Sequence, residues 1–283
     1  MNDSSDYSFY LKGSSEKGVL LVHGLTGTPS EMKFVGKRLH QRGFTVYAPT
    51  LAGHCADLDA LLATRYEDWV ESLRVALHRF RQEVDTVYSA GICVGGALAL
   101  RLAHLEPESM AGVAIYAPAL DYDGWSQPKF SRLVRMLSDV LIHIPAVRRL
   151  KFEEVHPFGI KSDRLRAAVM EAGDGIEGAL PYFPAQALYE TYRLSGMLKK
   201  TLPQITTPTL LVHAREDDVC HPRNSYTIQK LHGGRCEVEI LDNSYHMIHV
   251  DQERQKVADL TAAFFGAPQS AQEEALLRDT TRL

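Results

Sequence analysis

The chain has 283 residues, 45% hydrophobic and 23% charged, with 31 Lys and Arg against 35 Asp and Glu for a net charge of −4. This is the balance of a globular chain with a substantial core. It lacks the basic excess of a nucleic-acid binder and any apolar run long enough to span a bilayer. Its four cysteines, Cys55, Cys93, Cys220 and Cys236, are too few for a disulfide framework and show no metal-ligand spacing. The start, "MNDSSDYSFYLKGSSEKG", has neither the basic nor the apolar region of a secretory signal, so the expectation is a cytoplasmic protein.

"KGVLLVHG" (17–24) reads as a buried strand ending in glycine. In "SEMKFVGKRLHQRG" (30–43), Met32, Val35 and Leu39 share a helical face, with Ser30 as cap and Gly43 as stop. "FTVYAPTL" (44–51) is a second strand, and "YEDWVESLRVALHRFRQE" (66–83) a helix burying Trp69, Leu73, Ala76 and Phe80. "TVYSAGIC" (86–93) is a third strand, running straight into the helical "VGGALALRLAHLEP". "AGVAIYAPAL" (111–120), "TPTLLVHAR" (207–215) and "CEVEILDNS" (236–244) are further strands, the last two followed by helical sequence. Alternating strands and helices predict a mostly parallel sheet with helices on both faces.

The alternation stops between 121 and 203. There Phe130, Leu133, Val134, Leu137, Val140, Leu141 and Ile144 form an amphipathic stripe ended near Pro145, with helical pieces around 162–172 and 184–199. The predicted organisation is therefore a core of 1–120 and 204–266, a helical lid of 121–203, and a polar tail of 267–283.

Gly91-Ile92-Cys93-Val94-Gly95 has the form of a nucleophile elbow, a strained turn from strand to helix flanked by small residues. It would hold the Cys93 side chain above the carboxyl end of the sheet, with a helix N-terminus favouring a thiolate. An elbow nucleophile is followed by an acid and then a histidine. "AREDDVCHP" offers Asp217 or Asp218, and "NSYHMIHVDQE" offers His246 or His249; Asp217 and His246 are the favoured pair. His249 is expected on the early part of a helix. "HGLTGTP" (23–29) can turn the Leu25 amide towards a substrate oxygen, with the Val94 amide as its partner in an oxyanion hole.

"LLVHGLTGTPSEM", "YAPTLAGHC", "YEDWVESL", "AGICVGGALAL", "AREDDVCHP" and "NSYHMIHVDQE" together resemble the α/β-hydrolase superfamily, and within it bacterial carboxylesterases and monoacylglycerol lipases. The resemblance implies the α/β-hydrolase fold, Cys93 as nucleophile, Asp217 as acid, His246 as base, and Leu25 and Val94 as oxyanion donors. It implies no cofactor or metal, and a lid over an acyl pocket. Two residues depart from the pattern. Cys93 stands where the family has serine, and a loop usually written Gly-His-Gly reads Gly53-His54-Cys55. Dienelactone hydrolases and polyhydroxyalkanoate synthases are similar in carrying an elbow cysteine.

A thiol ionises far more readily than a serine hydroxyl. It is also a better leaving group than an alkoxide, so an adduct with an oxyester tends to revert unless the histidine protonates the alkoxide. The expected substrate is thus a small acyl thioester or activated ester, the thioester being carried on CoA or an acyl carrier protein. Acyl transfer, formation of a lactone or polyester, and a non-catalytic ligand-binding homologue are the alternatives. Leu133, Leu137, Leu141, Phe183 and Met247 are candidate substrate and lid contacts, alongside Phe130, Met136, Tyr182, Leu188 and Met197. Arg132, Arg135, Arg148, Arg149 and Lys151 make the lid basic, either as a solvated face or as a receiver of phosphopantetheine or an anionic membrane. Cys55 and Cys220, in loops bordering the same mouth, are either a redox pair or simply unpaired thiols.

Overall fold

The computed structural model describes residues 6–127, 131–171 and 177–266. In chain order its strands are β1 (Phe9–Leu11), β2 (Lys17–Val22), β3 (Thr45–Ala48), β4 (Thr86–Ile92), β5 (Gly112–Tyr116), β6 (Lys151–Glu153), β7 (Tyr182–Pro184), β8 (Thr209–Ala214) and β9 (Cys236–Leu241). The helices are α1 (Lys33–Gln41), α2 (Leu58–Leu62), α3 (Tyr66–Phe80), α4 (Val94–Leu105), α5 (Ser131–Leu141), α6 (Pro145–Arg148), α7 (Asp163–Glu171), α8 (Ala185–Thr201), α9 (Arg223–Leu231) and α10 (Arg254–Phe264). Among the described residues no helix is long and apolar enough to cross a membrane.

Seven strands form one sheet in the order β1-β3-β2-β4-β5-β8-β9, and β6 and β7 form a separate antiparallel pair. Only β1 runs antiparallel in the large sheet, pairing Phe9 with Ala48. The sheet is sandwiched because its central strands are apolar on both faces: Val19, Leu20, Leu21 and Val22 of β2 are fully buried, and so are Val113, Ala114, Ile115 and Tyr116 of β5. α1 packs with α10, while α3, α4 and α8 pack together. This is the expected α/β-hydrolase fold. It lines up the carboxyl ends of β2, β4, β5 and β8 along one edge of the sheet, which is where an open α/β sheet holds its ligands.

Some local features depart from the sequence pattern. β1 was not anticipated, being three residues long with a half-exposed pattern. Ser30 is not the helix cap: Thr28 caps a 3₁₀ turn over Pro29–Met32, accepting from the Ser30 amide at 3.2 Å, and α1 follows from Lys33. Pro29 at the first position explains this, since its fixed φ starts a turn and it has no N–H to lose. α8 falls within the range expected for the lid, yet it packs on α3 and α4 and sends Ala187, Leu194 and Leu198 into the core. The apolar stripe of α5 does not pack inward along its length: Val140 is 71% and Leu137 46% exposed. Phe130 and the tail 267–283 lie outside the described residues.

The junction of β4 and α4 requires glycine. A Cβ on Gly91 would sit 2.5 Å from the carbonyl carbon of Gly95, and one on Gly95 would sit 2.4 Å from the carbonyl oxygens of Val22 and His23. Backbone atoms cannot retreat as a flexible side chain can, so Gly95→Ala forces β2 and α4 apart. Gly95→Ala is expected to cost about 1–3 kcal/mol or more, from overpacking. Chemical denaturation against the unsubstituted chain measures it.

Candidate active site

Cys93 lies between β4 and α4 with φ 53° and ψ −115°, a conformation that a side chain bearing a Cβ rarely adopts. Its N–H donates to Tyr116 O at 2.8 Å and its carbonyl accepts from Ala97 N at 3.2 Å, so sheet and helix together hold the strain. The sulfur therefore stands at the N-terminus of α4, and the Val94 N–H points at it.

Asp217 and His246 come from loops after β8 and β9. Asp217 is 2% exposed and His246 5% exposed. His246 Nδ1 faces Asp217 Oδ2 at 2.9 Å and Oδ1 at 3.1 Å. Oδ1 also accepts the amides of Val219 at 2.8 Å and Cys220 at 2.7 Å. Burial works against the Asp217 charge, but His246 and His213 hold its carboxyl well below the usual carboxylate range. Burial likewise opposes a charge on His246, yet Asp217 and Cys93 raise it well above ordinary imidazole. The nearby Cys220 thiol, with His246 and the Val94 amide, outweighs burial and brings the Cys93 thiol well below its usual range.

The alternatives left open by the sequence separate cleanly. Asp218 accepts the amides of Gly159 at 3.2 Å and His246 at 3.3 Å, so it braces loops and does not touch the imidazole ring. His249 is fully buried in a turn, not on a helix, with neither ring nitrogen partnered; burial drives it to about 3 and keeps it neutral. The second partner of Asp217 was missed: His213 on β8 places Nε2 3.1 Å from Oδ2 and 2.8 Å from Cys220 O, while Nδ1 meets Ser225 Oγ at 2.8 Å. A histidine inside the buried run "LLVHA" was the available signal, since a buried imidazole needs polar partners.

The loop 23–29 after β2 is similarly braced. Leu25 is 8% exposed, and among the described residues its N–H has no acceptor. Thr26 beside it has φ 59°. His23 joins the loop to the end of β3, accepting from Leu51 N at 3.3 Å, and lies edge-on to His54 with ring centres 5.1 Å apart. Burial lowers His23 to about 3 and His54 to about 4, so both stay neutral. Glu31 closes the loop from below: its carboxylate accepts the Gly24 amide, and a Cβ on Gly27 would lie 2.4 Å from its Oε2. Burial raises the Glu31 carboxyl to about 7, against that hydrogen bond. Cys55 adopts φ 59°, the left-handed region that the usual glycine would occupy freely, and faces Gly27 O at 4.0 Å. Burial lifts its thiol to about 11. Of the two readings left open, Cys55 and Cys220 are free thiols and not a disulfide.

Residues of the 121–203 segment meet the loops of this site through backbone hydrogen bonds. Gly159 O accepts from Met247 N at 2.7 Å. Asp251, which the sequence reading did not single out, collects the amides of Lys161 at 2.7 Å, Ser162 at 3.1 Å and Tyr245 at 3.1 Å. Leu180 N donates to Thr26 O at 3.1 Å, fastening the segment to the oxyanion loop. Met247 packs on Gly159, and Phe183 lies half-buried against the core. Leu141, like Leu137, is largely exposed, and Leu133 shares their helix.

The model of the Hydrolase_4 family, described as serine aminopeptidase, S33, matches residues 13–253. The chain belongs to this family. It is 28% identical over 253 residues to a thermostable monoacylglycerol lipase of Bacillus sp. (strain H-257), covering 88% of this chain and 90% of the relative. It is 24% identical to a carboxylesterase of Bacillus subtilis (strain 168), covering 88% of this chain and 92% of the relative. Among solved structures, a monoacylglycerol lipase of Paleococcus ferrophilus superposes with a TM-score of 0.77 at 18% identity, covering 93% of this chain and 99% of that one. That last likeness concerns the fold.

Two predictions follow from the braces. Asp251→Ala leaves three amides without their acceptor, so it should loosen the histidine loop and lower kcat more than it raises KM; steady-state kinetics on a nitrophenyl ester reads this. Glu31 is raised in the folded chain, so it adds stability at acidic pH that is lost as pH rises from its unfolded value of 4.5 through about 7. Glu31→Gln keeps an acceptor but cannot ionise. Its melting temperature should exceed the parent's at pH 8 and converge with it at pH 5.

Proposed function

We propose that this protein hydrolyses carboxylic esters and thioesters through a covalent acyl intermediate on Cys93, with His246 as base and acid and Asp217 as its orienting partner. What supports the reading is the strained elbow conformation of Cys93 together with the buried His246–Asp217 pair, whose Nδ1 and Oδ2 lie 2.9 Å apart. Membership of the Hydrolase_4 family and similarity to a lipase and a carboxylesterase support ester hydrolysis as the reaction.

The chemistry follows from the geometry. The Cys93 thiolate attacks the acyl carbon, and the amides of Leu25 and Val94 receive the oxyanion. The imidazolium of His246 protonates the departing alcohol or thiol. The neutral ring then activates water, which attacks the thioester and releases Cys93. Asp217 keeps the proton on Nδ1 and stabilises the charged ring. A thiolate is expelled more easily than an alkoxide, so thioesters and esters of acidic alcohols suit Cys93 better than simple alkyl esters. Cys93 is 9% exposed, so substrate entry requires the 121–203 segment to move as a lid. The free thiol of a CoA or carrier-protein thioester is the kind of leaving group this site would release.

Incubation with a slowly hydrolysed acyl thioester should give an adduct on Cys93 by peptide mass spectrometry, absent in Cys93→Ala. Turnover without any such adduct in a quenched-flow experiment would remove the covalent route. Asp217→Asn should lower kcat on the order of 10⁴-fold with little change in KM, because the ring would be held in the wrong tautomer. The ratio of kcat/KM between a thioester and its matching alkyl ester should fall in Cys93→Ser.

A further inference from the structure

The hydrolytic cycle uses one side of Asp217 and leaves the other unexplained. Oδ1 accepts the amides of Val219 at 2.8 Å and Cys220 at 2.7 Å, both from its own turn. Those bonds hold one oxygen but leave the carboxylate free to swing about it. Among the described residues two groups approach Oδ2: His246 Nδ1 at 2.9 Å and His213 Nε2 at 3.1 Å. His213 stands on β8, paired with Ile240 of β9, and is fully buried. Its ring is held at both ends. Nε2 lies 2.8 Å from the Cys220 carbonyl, which can only accept, so this nitrogen carries a proton. Nδ1 lies 2.8 Å from Ser225 Oγ on α9, so the neutral ring accepts the hydroxyl proton there. Ser225 is fully buried as well. Neither side chain can touch a substrate, so both act, if they act on the reaction, through Asp217.

We propose that His213 is a positioning residue for hydrolysis: with its tautomer set by Ser225, it fixes the rotation of the Asp217 carboxylate that points Oδ2 at His246 Nδ1. This role rests on the reading of Asp217 and His246 as the orienting pair and adds a further link behind it. The physical reason is the difference between a loop and a strand. Asp217 and His246 both sit on loops, whereas β8 is held between β5 and β9 in the sheet. A loop carboxylate tied to an imidazole on that strand takes its orientation from the more rigid element. The tautomer decides whether the tie attracts or repels. With the proton on Nε2, the ring offers a donor to the Cys220 carbonyl and a positive edge to Oδ2. The opposite tautomer would set a lone pair against both oxygens, and the Ser225 hydroxyl disfavours it by donating to Nδ1.

Steady-state hydrolysis of a nitrophenyl ester by the whole chain tests this in a double-mutant cycle. His213→Leu keeps apolar bulk and loses the donor. Its kcat should fall roughly 10- to 100-fold while KM stays within about twofold. His213→Gln, whose amide nitrogen can take the place of Nε2, should recover most of that loss. In an Asp217→Asn background, adding His213→Leu should change kcat by less than about twofold, because the group it acts through is already gone. Losses that multiply in the double variant overturn the proposal. So does a His213→Leu chain with the parent's kcat, or a His213→Gln chain no better than His213→Leu. Should His213→Leu fail to fold by circular dichroism, Ser225→Ala takes its place in the cycle. A severalfold loss of kcat is then expected in the parent and none in Asp217→Asn, and an unchanged kcat in the parent overturns the proposal. The two readings fail differently. Asp217→Asn with the parent's kcat would remove the orienting acid and His213 with it. A crippled Asp217→Asn beside a fully active His213→Leu would remove His213 alone.

Discussion

The arrangement at the carboxyl end of the sheet depends on one buried carboxylate. Asp217 is almost wholly removed from water, and an isolated charge there would be costly. It is retained because every direction around it holds a donor: His246 Nδ1, His213 Nε2, and the amides of Val219 and Cys220. Those contacts orient the imidazole, close the turn after β8, and fix the backbone of Cys220. Loss of the charge would release all three together, which distinguishes this residue from its neighbour Asp218, a brace for the Gly159 and His246 backbones.

The same logic extends outward to the inserted segment. It is tied to the rest of the chain by directional backbone bonds, through Asp218 and Asp251 to the loop bearing His246 and through Leu180 to the loop after β2. The exposed residues of α5 stand apart from these bonds.

Sulfur in place of oxygen changes the balance at the elbow without changing its shape. The α4 terminus, the Val94 amide and a protonated His246 would each favour an oxyanion at an elbow serine only fleetingly. Acting on a thiol, they lower its pKa well below the usual range. The three remaining cysteines are held as thiols by burial: Cys55 at about 11, Cys236 at about 12, and Cys220 raised well above its usual range.

The amino-acid sequence by itself determined the periodic elements, the elbow and the order of Cys93, Asp217 and His246. Strand and helix periods are local, and the glycines at 91 and 95 mark a close approach whatever surrounds them. It favoured Asp217 over Asp218 and His246 over His249 from loop position, but near neighbours in a loop differ in which way they point, and the hydrogen-bond partners of each are a matter of the tertiary fold. It did not reveal His213, Glu31 or Asp251. Asp251 reaches Lys161 and Ser162 some ninety residues away, while His213 and Glu31 meet partners four to seven residues along, in turns whose direction the local pattern leaves open. Hydrogen bonds reach about 3 Å, so their partners are settled by the tertiary fold, after the local pattern has done all it can.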